Sequence, residues 1–95
     1  MTSTSQQRRI MLAEAALLAL RAYRDNALVE FADGQTVRLE NLSWSHDEGA
    51  DYAEVIGNVV TARTSPEALR FFTNEVACVR DPKTGEVIFL LPSDP

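Results

Sequence analysis

Ala27-Leu28-Val29-Glu30-Phe31-Ala32-Asp33-Gly34-Gln35-Thr36-Val37-Arg38-Leu39 is the stretch that decides the fold. Two runs rich in aliphatic and β-branched residues flank Asp33-Gly34, a dipeptide that suits a tight hairpin turn. The side chains choose the register. A two-residue loop sets Glu30 opposite Val37 and mixes a charge into an apolar row. A three-residue loop, with Gly34 left-handed at a bulge, sets Val29 opposite Val37 and Ala27 opposite Leu39. This second register keeps one face apolar and is the expected one.

On the N-terminal side, residues 1–5 read as a polar tail and residues 6–24 as a helix without Gly or Pro. From Ile10 to Tyr23 only Glu14 and Arg21 are polar. With about 100° per residue, Glu14, Arg21 and Arg24 share one narrow arc, and apolar side chains cover most of the rest. That arc is wider than one sheet face covers, so a second copy of the chain is expected to cover the remainder. Leu17 and Leu18 are the candidate interface residues of the helix, and Ala13, Ala15, Ala16, Ala19 and Ala22 permit close approach. Asp25-Asn26 ends the helix, since Asn tolerates the left-handed position there.

On the C-terminal side, residues 42–51 read as an irregular polar loop, and Tyr52 to Thr61 as one long strand bent at Gly57. Ser65-Pro66-Glu67 is a helix start, predicting about two turns that end near Thr73-Asn74 with Leu69 and Phe72 toward the core. The adjacent Phe71 and Phe72 cannot both face one core. A last hairpin is expected from Glu75–Arg80, a turn at Asp81-Pro82-Lys83-Thr84-Gly85, and a return over Glu86–Leu91. A four-residue loop pairs Asp81 with Glu86, Val79 with Ile88, Cys78 with Phe89 and Ala77 with Leu90. Val87-Ile88-Phe89-Leu90-Leu91 is apolar on both faces, so the strand is expected to be covered on both sides. Phe89 and Leu91 join the candidate oligomer interface.

The chain has 95 residues, 45% hydrophobic and 24% charged, which suits one domain over 6–95. The expected class is α+β: an N-terminal helix plus a strongly bent five-stranded antiparallel sheet or small barrel. The alternative is a roll with the helix across the sheet. The net charge is −5. Residues 1–24 carry Arg8, Arg9, Arg21 and Arg24 against Glu14, so the acidic excess lies entirely in the remainder. An acidic chain is a poor generic binder of phosphate backbones; those four arginines are the candidate nucleic-acid residues.

Chemistry-bearing motifs are sparse. There is no Gly-rich phosphate loop, no cofactor is expected, and one cysteine and one histidine make no metal pattern. Cys78 sits in an apolar run and reads as a buried structural thiol, consistent with a reducing, cytoplasmic setting. Carboxylates gather between His46 and Glu54, but their spacing matches no calcium loop. Trp44, His46, Asp47 and Asp51 are the candidate ligand residues of that segment, and no catalytic residue is assigned. Gln7-Arg8-Arg9-Ile10-Met11-Leu12 has a faint twin-arginine look, but the following stretch holds Glu14 and stops at Arg21, so no export signal is expected. No run reaches the ~20 apolar residues of a membrane span.

Val29-Glu30-Phe31-Ala32-Asp33-Gly34 is similar to the first hairpin of the small Sm-like barrels. Phe71-Phe72-Thr73-Asn74-Glu75-Val76-Ala77-Cys78-Val79-Arg80-Asp81 is similar to the tail of many bacterial Sm-like or SH3-like barrels. The resemblance spans residues 10–91 as element order. It implies an N-terminal helix, five bent strands, and ring assembly through the edges of the last two strands, with RNA as the partner. The residues themselves point first to a non-enzymatic homo-oligomeric interaction or structural module that binds itself or another protein. An Sm-like RNA-binding ring is the alternative.

Overall fold

A sequence rich in alanine and leucine and free of Gly and Pro gives helix α1, Thr4–Ala22, in a computed structural model that describes residues 4–60 and 67–92. Six strands follow among these described residues: β1 Asn26–Phe31, β2 Thr36–Ser45, β3 Glu54–Val59, β4 Glu67–Phe72, β5 Val76–Arg80 and β6 Val87–Leu90. All neighbouring pairs are antiparallel, in the order β4-β3-β2-β1-β5-β6. The class is α+β, as expected, with six strands instead of five. The sheet is not closed: β4 and β6 are its two edges.

The β1–β2 hairpin has the expected register, with Val29 opposite Val37, Ala27 opposite Leu39 and Gly34 left-handed at φ 93°. Ala27, Val29 and Phe31 are buried while Asn26, Leu28 and Glu30 are half-buried, a period of two that makes β1 the centre of the fold.

Residues 42–45 are strand, not the expected loop. β2 crosses a bulge between Glu40 and Ser43 and continues, setting Ser43, Trp44 and Ser45 opposite Ile56, Val55 and Glu54. Asn41 takes the left-handed conformation (φ 52°), and the Leu42 N–H donates to the Arg24 carbonyl at 2.7 Å. The bulge switches the inward set from Val37 and Leu39 to Leu42 and Trp44. A polar, serine-rich stretch is therefore half of a real strand, because only alternate residues need be apolar. Gly57 stays within β3, as expected. A Cβ there would lie 2.5 Å from Leu42 Cδ2, so glycine makes room for the bulged side chain.

The expected helix over 66–73 is corrected where it can be seen: Glu67–Phe72 is strand β4, paired along its length with β3. Ser65 and Pro66 lie outside the described residues. Phe71 is buried and Leu69 half-buried, whereas Phe72, expected in the core, is 46% exposed. Strand period puts 69 and 71 on one face, opposite Gly57 and Val55, and pairing with β3 outweighs the local helix signal. Among the described residues of that stretch, a helical turn is found at Thr73–Glu75, a 3₁₀ turn whose Glu75 carboxylate accepts the Phe72 N–H at 2.6 Å.

The last hairpin turns where expected. The Asp81 N–H donates to the Glu86 carbonyl at 2.9 Å, and Gly85 is left-handed at φ 76°. Beyond the turn the register is one residue off. A bulge at Ile88 sets Val79 opposite Phe89 and Cys78 opposite Leu90. Val79 shares the face of Val29, so the bulge delivers the larger Phe89 to the core and turns Leu90 outward.

The sheet curls strongly. Strands β1 and β4 are three places apart, which is about 14 Å in a flat sheet, yet the Phe31 and Phe71 rings meet edge to face with centroids 4.9 Å apart. The concave side holds Val29, Leu39, Val55, Val76 and Val79, and α1 covers it with Ala16, Ala19 and Leu20. Each fully buried aliphatic contributes about 1.5–3 kcal/mol.

Candidate interaction surface

Helix α1 lies against the 3₁₀ turn, β5 and β6. Its inner face is Ala13, Ala16, Ala19 and Leu20, all buried. Its outer face is also apolar. Met11 is 69% and Leu18 63% exposed, and Ala15 and Ala22 are exposed between and beyond them. The positions 11, 15, 18 and 22 follow the alternating four-three spacing that makes one seam along a helix. Glu14 and Arg21, both exposed, flank this seam two turns apart on the same side. Met11 was not singled out from the sequence; its seven-residue spacing from Leu18 was the available signal.

Of the four candidate interface residues, Leu18 is free. Leu17 and Leu91 are half-buried against the core, and Phe89 is in it. Full coverage of the last strand is not met within one chain: Leu90 is 63% and Val87 42% exposed on the β6 edge, and Phe72 shows on the β4 edge.

The four candidate nucleic-acid arginines do not form one patch. Arg8 and Arg9 sit in the first half of α1, and Arg21 follows Arg9 by about 18 Å of helix. The Arg21 guanidinium lies over the Trp44 ring, 5.4 Å from its centre, and Arg24 contacts the Asp25 carboxylate at 3.8 Å. Trp44 is half-buried on β2 and packs against the core. The other three candidate ligand residues are exposed. His46 Nε2–H donates to the Ala50 carbonyl at 2.6 Å, Asp51 accepts from Gln6 Nε2 at 3.1 Å, and Asp47 is exposed. Their bonds shape a loop. Among the described residues no group of three or more His, Cys, Asp or Glu is placed to hold a metal ion, and no helix is long and apolar enough to cross a membrane. Cys78 is buried and free.

Two perturbed groups meet at the opposite end of α1. The Asp81 carboxylate accepts the Lys83 and Thr84 amides at 2.7 and 3.1 Å, which lowers its pKa. The Tyr23 hydroxyl donates to the same carboxylate, and desolvation together with that negative charge raises its pKa. The pair ties the end of the helix to the last hairpin.

Comparison with family models, with curated proteins and with solved structures gives no match to this chain.

Proposed function

We propose that this protein is a non-enzymatic self-associating module whose copies pair, antiparallel and about a two-fold axis, through the outer seam of α1. The observation that carries the reading is the exposed row Met11, Ala15, Leu18 and Ala22 on a helix whose opposite face is already buried. Alanine alternating with larger side chains lets two such helices approach closely. In an antiparallel pair, Glu14 of one copy comes alongside Arg21 of the other, so the flanking charges are complementary and the occupant is a second copy.

The test is solution mass by light scattering after size exclusion, over a range of concentration and at low and high salt. A dimer is expected, with dissociation roughly tenfold or more easier in Leu18→Asp. Glu14→Arg is expected to weaken it and Glu14→Arg with Arg21→Glu to restore it. A wild-type monomer at high concentration, or a Leu18→Asp dimer of unchanged affinity, overturns the reading. The alternative, an Sm-like ring, has one observation on its side: both β4 and β6 are open edges at opposite ends of one sheet. A mass of five or more subunits would favour it. Single-stranded RNA binding lost in Arg8→Ala/Arg9→Ala would then give the ring its partner.

A further inference from the structure

A cavity of about 390 Å³ opens between the first half of α1 and the sheet's β5–β6 end, away from the seam just described. Its inner lining is largely apolar, with Leu12, Val76, Phe89 and Leu91 beside the buried Thr73. Arg8, Arg9 and Tyr52 stand on its rim. The cavity lies within the usual size range for small-molecule sites. Its charge is opposite to that of the chain. The protein is acidic overall, yet among the described residues the lining holds two arginines and no carboxylate. Among those residues the ion pairs are Arg24 with Asp25 and Arg70 with Glu54, neither at this site. Asp51, next to Tyr52 in the chain, is bonded to Gln6 and does not line the cavity.

The two arginines also open the second turn of α1, close to the positive end of the helix dipole, and the first turn has no acidic residue. Two neighbouring cations near that end favour an anion that joins them. An inorganic anion would leave the apolar lining unused, and a neutral hydrocarbon would leave the guanidinium groups unused.

We infer that this cavity binds a small amphiphilic anion, with its hydrocarbon part against Leu12, Val76, Phe89 and Leu91 and its carboxylate or phosphate at Arg8 and Arg9. A free fatty-acid-like ligand and a lipid headgroup share that chemistry. The inference is independent of how copies associate.

The experiment is calorimetric titration of the full chain with octanoate, 1-octanol and inorganic phosphate, plus co-sedimentation with vesicles of phosphatidylcholine and phosphatidylglycerol. Saturable octanoate binding is expected, roughly tenfold tighter than 1-octanol, because a charge-assisted hydrogen bond is lost in the alcohol. Phosphate is expected to bind more weakly than octanoate. Arg8→Gln/Arg9→Gln, two exposed positions that leave the core intact, should remove the preference for octanoate over the alcohol. Leu12→Trp should block both by filling the apolar part of the cavity, with circular dichroism confirming the fold. Vesicle binding alongside octanoate binding, both lost in Leu12→Trp, assigns the ligand to lipids; octanoate binding without vesicle binding assigns it to free amphiphiles. The inference is overturned if octanoate does not saturate, if phosphate binds as tightly, if the double arginine variant keeps the preference, or if vesicles bind while octanoate does not.

Discussion

The hairpin at Asp33-Gly34 and the hairpin at Asp81–Gly85 both turn on a left-handed glycine, Gly34 at φ 93° and Gly85 at φ 76°. In the first, the turn and the strand agree, and each pair from Glu30–Thr36 to Asn26–Glu40 runs in register. In the second, the turn is as its residues specify, but a bulge at Ile88 shifts everything beyond it by one. The difference is in what waits across the core. Val29 and Val37 already lie on one face, so regular alternation fills it. Val79 shares that face, and regular pairing would have offered it Ile88 and sent Phe89 outward. A β-bulge costs one ladder position; an exposed Phe with an under-filled core costs more. Turn chemistry sets the turn, and core volume sets the register past it.

The sharpest way to break this comparison is at positions 89 and 90. Phe89→Ala is expected to cost about 3–5 kcal/mol in denaturant unfolding, and Leu90→Ala within about 0.5 kcal/mol, as an exposed position should. A large loss at Leu90 with little at Phe89 would mean that the unbulged register is the real one. The bulge in β2 has its own probe. Gly57→Val drives a side chain into Leu42 and should cost about 1–3 kcal/mol by overpacking. Combining it with Leu42→Ala should recover part of that loss, since the two sites share one space.

These positions also mark what the residues disclose in advance. The α1 helix, the β1–β2 register and Gly57 inside a single strand are legible because local signal and burial point the same way. The β4 strand is not, because Ser65-Pro66-Glu67 is a good helix start and only pairing with β3 along Glu67–Phe72 overrides it. Leu42–Ser45 reads as loop because the bulge at Asn41 breaks the alternation that would reveal a strand. The same limit applies to interaction surfaces. Excess apolar character in α1 is visible from Ile10 to Tyr23, but which side stays uncovered depends on the sheet. Leu17 turns inward and Leu18 outward although they are neighbours. Phe89 is apolar enough for an interface and is taken by the core instead. The cavity beside Arg8 and Arg9 had no signature at all, since Tyr52, Val76 and Phe89 come from three distant parts of the chain.

The two turns themselves should respond alike to loss of their glycines. Gly34→Ala and Gly85→Ala meet no neighbouring atom, so only the backbone penalty remains, about 1–2 kcal/mol each. Thermal unfolding of the two variants checks this. A much larger loss at Gly34 would mean that its bulge also holds the register of β1, where a slip would turn Val29 outward.

The smallest expected effect separates the turns by pH. At the first turn, Asp33 Oδ1 accepts one amide, from Gln35 at 3.0 Å. At the second, Asp81 Oδ1 accepts two, and its pKa is lowered from the ordinary 3.8 by these bonds. A carboxyl with a depressed pKa in the folded state stabilises the fold above its unfolded pKa. That contribution fades as pH falls through the ordinary value and is gone below the depressed one. The protection of the Lys83 and Thr84 amides, taken relative to their intrinsic exchange rates, should therefore fall as the pH drops through the region below about 4, before that of the β1 and β2 amides. Asp81→Asn keeps an acceptor oxygen but has no proton to gain, so the acid step should vanish. The hydroxyl of Tyr23 loses a charged acceptor in the same variant, and its raised pKa should move back toward 10.0. In the wild type the tyrosine contribution has the opposite sense: it is present below 10.0 and is lost as pH rises through the raised value. An acid step that persists in Asp81→Asn would place its origin elsewhere in the acidic chain and leave the two turns equal.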